Sequence, residues 1–193
     1  RYQLYSLKKC QKSQNLSDYL YKQMKSYIRF QHTHEEHLVS EVVTKLPGLY
    51  LQRYNNELYG DIINDVSLFR GCKKTLLKGL LSNISVGYHM PKHHLMYCDD
   101  VCNELHIIAE GQADLFLGKQ FIERRKRSES FSEFAFFCKL TNPFDVISAS
   151  LCKLLSISRA SWDTAVSNYP VEVDQMMQNL LAELREKQDI FSS

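Results

Sequence analysis

Residues Asn103–Phe116 read N-E-L-H-I-I-A-E-G-Q-A-D-L-F. Glu104–Ala109 and Ala113–Leu117 are strand-like runs, and Gly111 between them suits a tight turn. The pattern holds outward from Ser85 to Leu155, where runs are short and several alternate. Val146–Ile157 carries two more strand candidates, which brings the expectation to about eight short strands. Helical spacing flanks this region on both sides. In Asn15–Phe30 one stripe collects Leu16, Tyr19, Leu20, Met24, Tyr27 and Ile28, with Ser17 or Asn15 as the N-cap. A second helix is expected over Glu35–Leu46, with Leu38, Val42, Val43 and Leu46 on one face, and Pro47-Gly48 ends it. A third covers Leu51–Val66, with Leu58, Ile62, Ile63 and Val66 in register. A fourth covers Lys73–Asn83, with Leu76, Leu77, Leu80 and Leu81. After the strands come Trp162–Tyr169, a break at Pro170, and Val171–Gln188 with Val173, Met176, Met177, Leu180, Leu181 and Leu184 as its buried stripe. Helices, then strands, then helices is α+β segregation.

Composition narrows the function classes. Among 193 residues, 24 basic and 22 acidic side chains leave a formal charge of +2, without the basic excess of a nucleic-acid binder. No apolar run approaches the ~20 residues of a membrane-spanning helix, and no secretory leader pattern is present. The chain begins at Arg1 and not Met, and is read as a piece of a longer, membrane-attached protein. Cys10, Cys72, Cys98, Cys102, Cys138 and Cys152 form no C-x-x-C pair, which favours a reduced compartment over a disulfide framework. No Ser/His/Asp set, Cys/His pair or Gly-rich phosphate loop supports catalysis, so the chain is not read as an enzyme.

Val66–Phe116, with its V-S-L-F opening and N-E-L-H-I-I…G run, resembles the cyclic-nucleotide-binding domain family. Phe131-Ser132-Glu133 stands where that family has the Phe-Gly-Glu of its phosphate-binding cassette, and Tyr169-Pro170 matches its final helix break. The resemblance covers about 66–184. It implies an antiparallel β-roll of about eight strands with flanking helices over 67–193. Tyr19–Phe30 and Tyr54–Phe69 are similar to parts of the C-linker of hyperpolarisation-activated and cyclic-nucleotide-gated channels. This implies a helical C-linker over 1–66 that assembles four subunits beneath a pore.

By the same resemblance the nucleotide pocket falls on Phe131, Ser132, Glu133, Phe144, Ser148 and Ala149, with cAMP or cGMP as the ligands of the family. Glu133 takes the position of the ribose acceptor. It also reads as an acidic residue stabilising a short helix by its dipole. The family's cassette Arg has no counterpart in Thr141–Ala149, where Asp145 adds negative charge instead. Loss of one charge-assisted bond of ~1.5–3 kcal/mol weakens binding roughly tenfold to a hundredfold. Lys92, Cys102 and Ser132 stand where the family favours Gly. The ether-à-go-go class resembles this chain in lacking the Arg, and places its own C-terminal segment in the pocket. The tail Asp189–Ser193, with Ile190 and Phe191, is the corresponding candidate for an internal ligand.

Other clusters carry less. His34-Glu35-Glu36-His37 has its His pair three apart, not the four of a helical zinc motif. His93, His94, Cys98 and Cys102 straddle strands and a turn. Arg124-Arg125-Lys126-Arg127 reads as a solvated hairpin tip. It reads alternatively as a contact for anionic lipid, or as the basic lead-in to a phosphosite at Ser128. The resulting expectation is a gating module on the cytoplasmic face of a cation channel. It is homotetrameric through its C-linker, partnered by its own pore domain, and weak or inactive toward nucleotide. The regulatory domain of a sperm-type sodium/proton exchanger and a pocket that still binds cAMP or cGMP are the alternatives.

Overall fold

Each hydrophobic stripe must find a partner surface, and the computed structural model shows how they pair. It describes residues 2–33, 43 and 46–192, with side chains over 4–30, 43 and 46–186. The helix expected over Glu35–Leu46 and the His34–His37 cluster lie outside the described residues. Two compact units divide at Pro47–Gly48.

The first unit contains α1 (Tyr2–Gln14), for which the sequence offered no clear stripe, and α2 (Asp18–Thr33). Ser17 caps α2, its hydroxyl accepting from the Leu20 amide at 3.2 Å. The expected α2 stripe is not buried: Tyr19, Leu20 and Met24 are exposed.

The second unit begins with α3 (Gly48–Asp65), a 3-10 turn (Ser67–Phe69) and α4 (Lys74–Leu81). The buried face of α3 is Asn55, Tyr59, Ile62 and Ile63. Leu58, expected in that stripe, is exposed, because Tyr59 one position on takes its place against the core. Asn55 donates to the Leu81 carbonyl at 2.9 Å, satisfying an orphan acceptor at the end of α4. Leu76, Leu77, Leu80 and Leu81 are all buried, as their spacing predicts.

Eight strands follow: β1 (Ser85–His89), β2 (His94–Met96), β3 (Glu104–Glu110), β4 (Ala113–Leu117), β5 (Gln120–Arg125), β6 (Ser130–Phe131), β7 (Asp145–Ser148) and β8 (Cys152–Ser158). They form two antiparallel sheets, ordered β1-β8-β3-β6 and β2-β7-β4-β5. A short helix, α5 (Glu133–Cys138), interrupts them, and α6 (Arg159–Val166) and α7 (Pro170–Ser192) close the chain. The fold is α+β. No helix among the described residues is long and apolar enough to cross a membrane.

Consecutive strands β3 and β4 lie in different sheets, and the crossing falls on Gly111. Its φ is +87°, and a Cβ there would stand 2.1 Å from the Leu151 carbonyl oxygen. Both facts exclude a side chain. The centre of β3 is wholly buried, with Leu105, Ile107, Ile108 and Ala109 each at 0% exposure. His106 shares this strand. Its Nδ1 lies 2.8 Å from the Ser156 hydroxyl, and its ring stacks on Phe131 at 5.3 Å. Burial, with His89 nearby adding to it, pushes the His106 pKa down to about 4.

Gly111→Ala is expected to destabilise the fold by about 2 kcal/mol or more, read as a lower urea midpoint at unchanged slope. His106 sets a pH dependence. Below pH ~6.5 an unfolded chain takes up a proton that the folded one refuses, so stability falls as pH drops toward 4, by on the order of 3 kcal/mol in full. The measurement is urea unfolding at pH 7 and pH 4.5. His106→Gln should lose distinctly less stability over that interval than the parent chain.

Candidate functional site

A cavity of about 620 Å³ opens where the second sheet, α5, the loop after it and α7 meet. That size is ordinary for a small-molecule pocket. Leu115 and Ile122 form its floor, Pro143 and Phe144 one wall, and Leu180 and Leu184 of α7 cover it. Its polar groups are Ser132 just before α5, Glu133 from α5, Thr141 from the loop after it, Glu123 and Arg125 from β5, and Glu183 from α7.

The cassette builds from local bonds. Ser132 precedes α5 in left-handed backbone at φ 61°, and its hydroxyl donates to Asn142 Oδ1 at 2.7 Å. Asn142 is fully buried, and its amide donates to the carbonyls of Tyr97 and Phe144. One side chain therefore ties the start of α5 to the loop that returns behind it. Glu133 is buried and accepts from the Ser130 hydroxyl at 2.7 Å. Behind the cassette, Arg159 stacks on Phe136 and donates to its carbonyl. Phe136 and Phe137 also meet Trp162 edge-on at 5.6 and 5.2 Å.

Of the residues expected in the pocket, the cavity collects Ser132, Glu133 and Phe144. Phe131 is at 0% exposure and packs on His106, away from the cavity wall. Ser148 is buried and spent on the β1–β2 turn, where its hydroxyl meets the Met90 and His93 carbonyls. The Ala149 amide donates to Gln112 at 2.8 Å, so Ala149 too lies apart from the cavity wall. Residues 189–192 continue the backbone of α7 as helix. The Ile190 and Phe191 side chains lie outside the described residues.

Sequence reading missed Arg125. The period of a strand decides its direction: Arg124 points out and Arg125 in. Arg124 makes a two-pronged pair with Asp114 at 2.6 and 2.8 Å. The Arg125 side chain is only 11% exposed, and it pairs with Glu123 and Glu183, each at 2.9 Å. Burial works to lower the Arg125 pKa, but Glu133, Glu123 and Glu183 outweigh it and the net shift is upward. Arg127 donates to the Ala109 carbonyl at 2.9 Å. The basic run is thus a patterned strand end and not a free hairpin tip, and its engagement leaves little to support a lipid contact. Ser128 is half-buried in the β5–β6 turn, and its amide donates to Ile108 at 2.9 Å.

The remaining candidates stay apart. Cys98 is exposed and its thiol donates to Pro143, whereas Cys102 is buried against the Met96 sulfur. The six cysteines are free. Burial pushes the Cys102 and Cys152 thiols up, which makes them poor nucleophiles. Among the described residues no group of His, Cys, Asp and Glu side chains could hold a metal ion.

No family model matches the chain. It is similar to the potassium channel KAT1 of Arabidopsis thaliana, 27% identical over 172 residues, covering 87% of this chain and 25% of that protein. The potassium channel AKT1 of the same plant is 27% identical over 153 residues, covering 77% of this chain and 18% of the relative. The potassium channel KOR2 of Oryza sativa subsp. japonica is 22% identical over 164 residues, covering 82% and 23%. The chain spans about a quarter or less of the length of these relatives, and the likeness to potassium channels runs along most of it.

Proposed function

We propose that this chain is the regulatory module of a membrane cation channel, acting from the cytoplasmic face on a pore carried by the same protein. The observation that carries the reading is the length of the similarity to a potassium channel. A match covering 87% of the chain is longer than the unit 48–193, so it takes in part of 1–47 as well as the roll. A ligand domain borrowed alone would not need that part. In this reading the helices of 1–66 are the C-linker, the roll is the sensor, and the specific channel branch is of the hyperpolarisation-activated, cyclic-nucleotide-gated or ether-à-go-go kind. The exposed apolar side chains of α2, Tyr19, Leu20 and Met24, supply the surface through which four copies assemble.

The sensor works as a biased two-state element. The cavity lies between a sheet and α7, so whatever occupies it acts on α7. An occupant shifts the module only as far as it prefers one packing over the other. Cyclic nucleotide is a poor occupant. Glu123, Glu133 and Glu183 surround the cavity against the one guanidinium of Arg125, an arrangement that disfavours a further negative charge.

Two measurements test this. Light scattering of the 193-residue chain should show tetramers, or a concentration-dependent monomer–tetramer equilibrium, and strict monomers at high concentration would remove the ring. Calorimetry with cAMP and with cGMP at sub-millimolar ligand should give little heat. Binding at micromolar concentration of either would overturn the account of the pocket.

A further inference from the structure

The cavity holds a guanidinium that ordinary cassette spacing does not provide, and that guanidinium is already paired, to Glu123 on its own strand and to Glu183 of α7. Arg125 Nη1 donates to Glu183 Oε1 at 2.9 Å. The other oxygen, Glu183 Oε2, accepts from the Ser67 hydroxyl at 3.1 Å. Both carboxylate oxygens are held by donors, as the two free oxygens of a bound phosphodiester would be. Arg125 Nε is buried and has no hydrogen-bond partner among the described residues, so the guanidinium has a donor to spare for another acceptor. No other cation lines the cavity among the described residues.

Glu183 also belongs to the helix that covers the cavity. Asn179, one turn earlier, fixes α7 to the 3-10 turn by donating to the Leu68 and Arg70 carbonyls at 2.9 and 2.8 Å. At its start, Glu172 pairs with Lys73 at 2.9 Å. Glu183 is the most C-terminal of these ties, and beyond it Leu184 is already 38% exposed. The contact therefore holds the part of α7 that lies over the cavity.

We propose that Arg125 is the anion receptor of this cavity and that the Glu183 carboxylate is its resident anion, latching α7 across the pocket until an outside organic phosphate displaces it. The anion clamp has moved from the cassette to β5 and is self-occupied. Weak nucleotide binding then has a specific cause, which is competition from a tethered carboxylate as well as the missing cassette Arg. A tethered competitor is present at high effective concentration and raises the apparent dissociation constant of any free rival. The inference deepens the regulatory reading, and rests on it only for what release of α7 does to a pore.

The experiment measures cAMP binding to the 193-residue chain by calorimetry, with adenosine as the phosphate-free control. Glu183→Gln keeps the size and an acceptor for Ser67 but removes the charge. It is expected to bind cAMP at least tenfold more tightly than the parent chain, with adenosine unchanged. The double variant Arg125→Gln/Glu183→Gln should lose that gain. Ser67→Ala, at an exposed position, loosens the carboxylate without touching the cavity, and should give a smaller gain in the same direction should Glu183→Gln fold poorly. No gain in a folded Glu183→Gln, or in Ser67→Ala when that variant stands in for it, overturns the proposal. So does a gain that survives loss of Arg125, or an equal gain for adenosine. Because these measurements use the isolated chain, a monomeric result in light scattering would sink the channel assembly and leave the latch standing.

Discussion

A guanidinium cannot shed its charge when it is buried, and this constraint organises the site. A lysine at position 125 could lose its proton, and an exposed arginine could use water. Arg125, at 11% side-chain exposure, can do neither and must be met by carboxylates. Glu123 on the same strand and Glu183 from the last helix answer it directly, and Glu133 adds its field from the cassette. Three elements distant in sequence are thereby drawn to one point. Removing either side would strand the other: the carboxylates would face each other without a cation, or the guanidinium would sit dry. Such a pair contributes little net stability against an apolar replacement, yet it costs several kcal/mol to break by halves. That asymmetry suits an element that has to choose between two arrangements.

Behind the cassette, packing connects it to α7. Phe136 and Phe137 pack edge-on against Trp162, and Trp162 stacks on Phe69 at 6.4 Å. Phe69 belongs to the 3-10 turn, and Asn179 of α7 bonds to the backbone of that same turn. The cassette, α6, the 3-10 turn and α7 are therefore contiguous through buried aromatic contacts and hydrogen bonds. In a close-packed interior a shift in one of these is felt by its neighbours. Arg159 adds a polar tie by bonding the Phe136 carbonyl in α5 and the Cys102 carbonyl in the loop before β3. The apolar contacts fix the order of the layers, and the Arg125 cluster sets how the outer helix lies on them.

Much of this was legible before any coordinates, for reasons that can be named. β3, Gly111 and β4 were readable as two strands and a turn, but their placement in different sheets was not, because strand pairing is set by partners distant in sequence. The α4 stripe was readable because Leu76, Leu77, Leu80 and Leu81 leave no other apolar face. Stripes with competing members were less so. On α3, Ile62 and Ile63 are buried as expected, but Tyr59 and Asn55 outcompete Leu58 for the core, and Asn55 has a carbonyl to satisfy. On α7, Leu181 and Leu184 are exposed although the period would bury them. The pocket list suffered from reasoning by position. Ser148 has the right neighbours in sequence, but its hydroxyl is consumed by the β1–β2 turn. Arg125 was hidden in plain composition, since a run of four cations looks like solvated surface until strand period two is imposed on it.

The drifted glycines carry the last step. Lys92 and Ser132 stand where the nucleotide-binding family favours Gly, and both keep left-handed backbone, at φ 66° and 61°. A non-glycine residue in that region carries a strain of roughly 1 kcal/mol or more, and here that strain is offset locally. The Lys92 amide donates to the Ser148 carbonyl at 2.7 Å, and the Ser132 hydroxyl is bonded to the buried Asn142. The turn geometry at both positions is thus held by hydrogen bonds within the protein. Together with a carboxylate already seated on the guanidinium, this describes a cavity whose shape is maintained while its charge has been answered from inside.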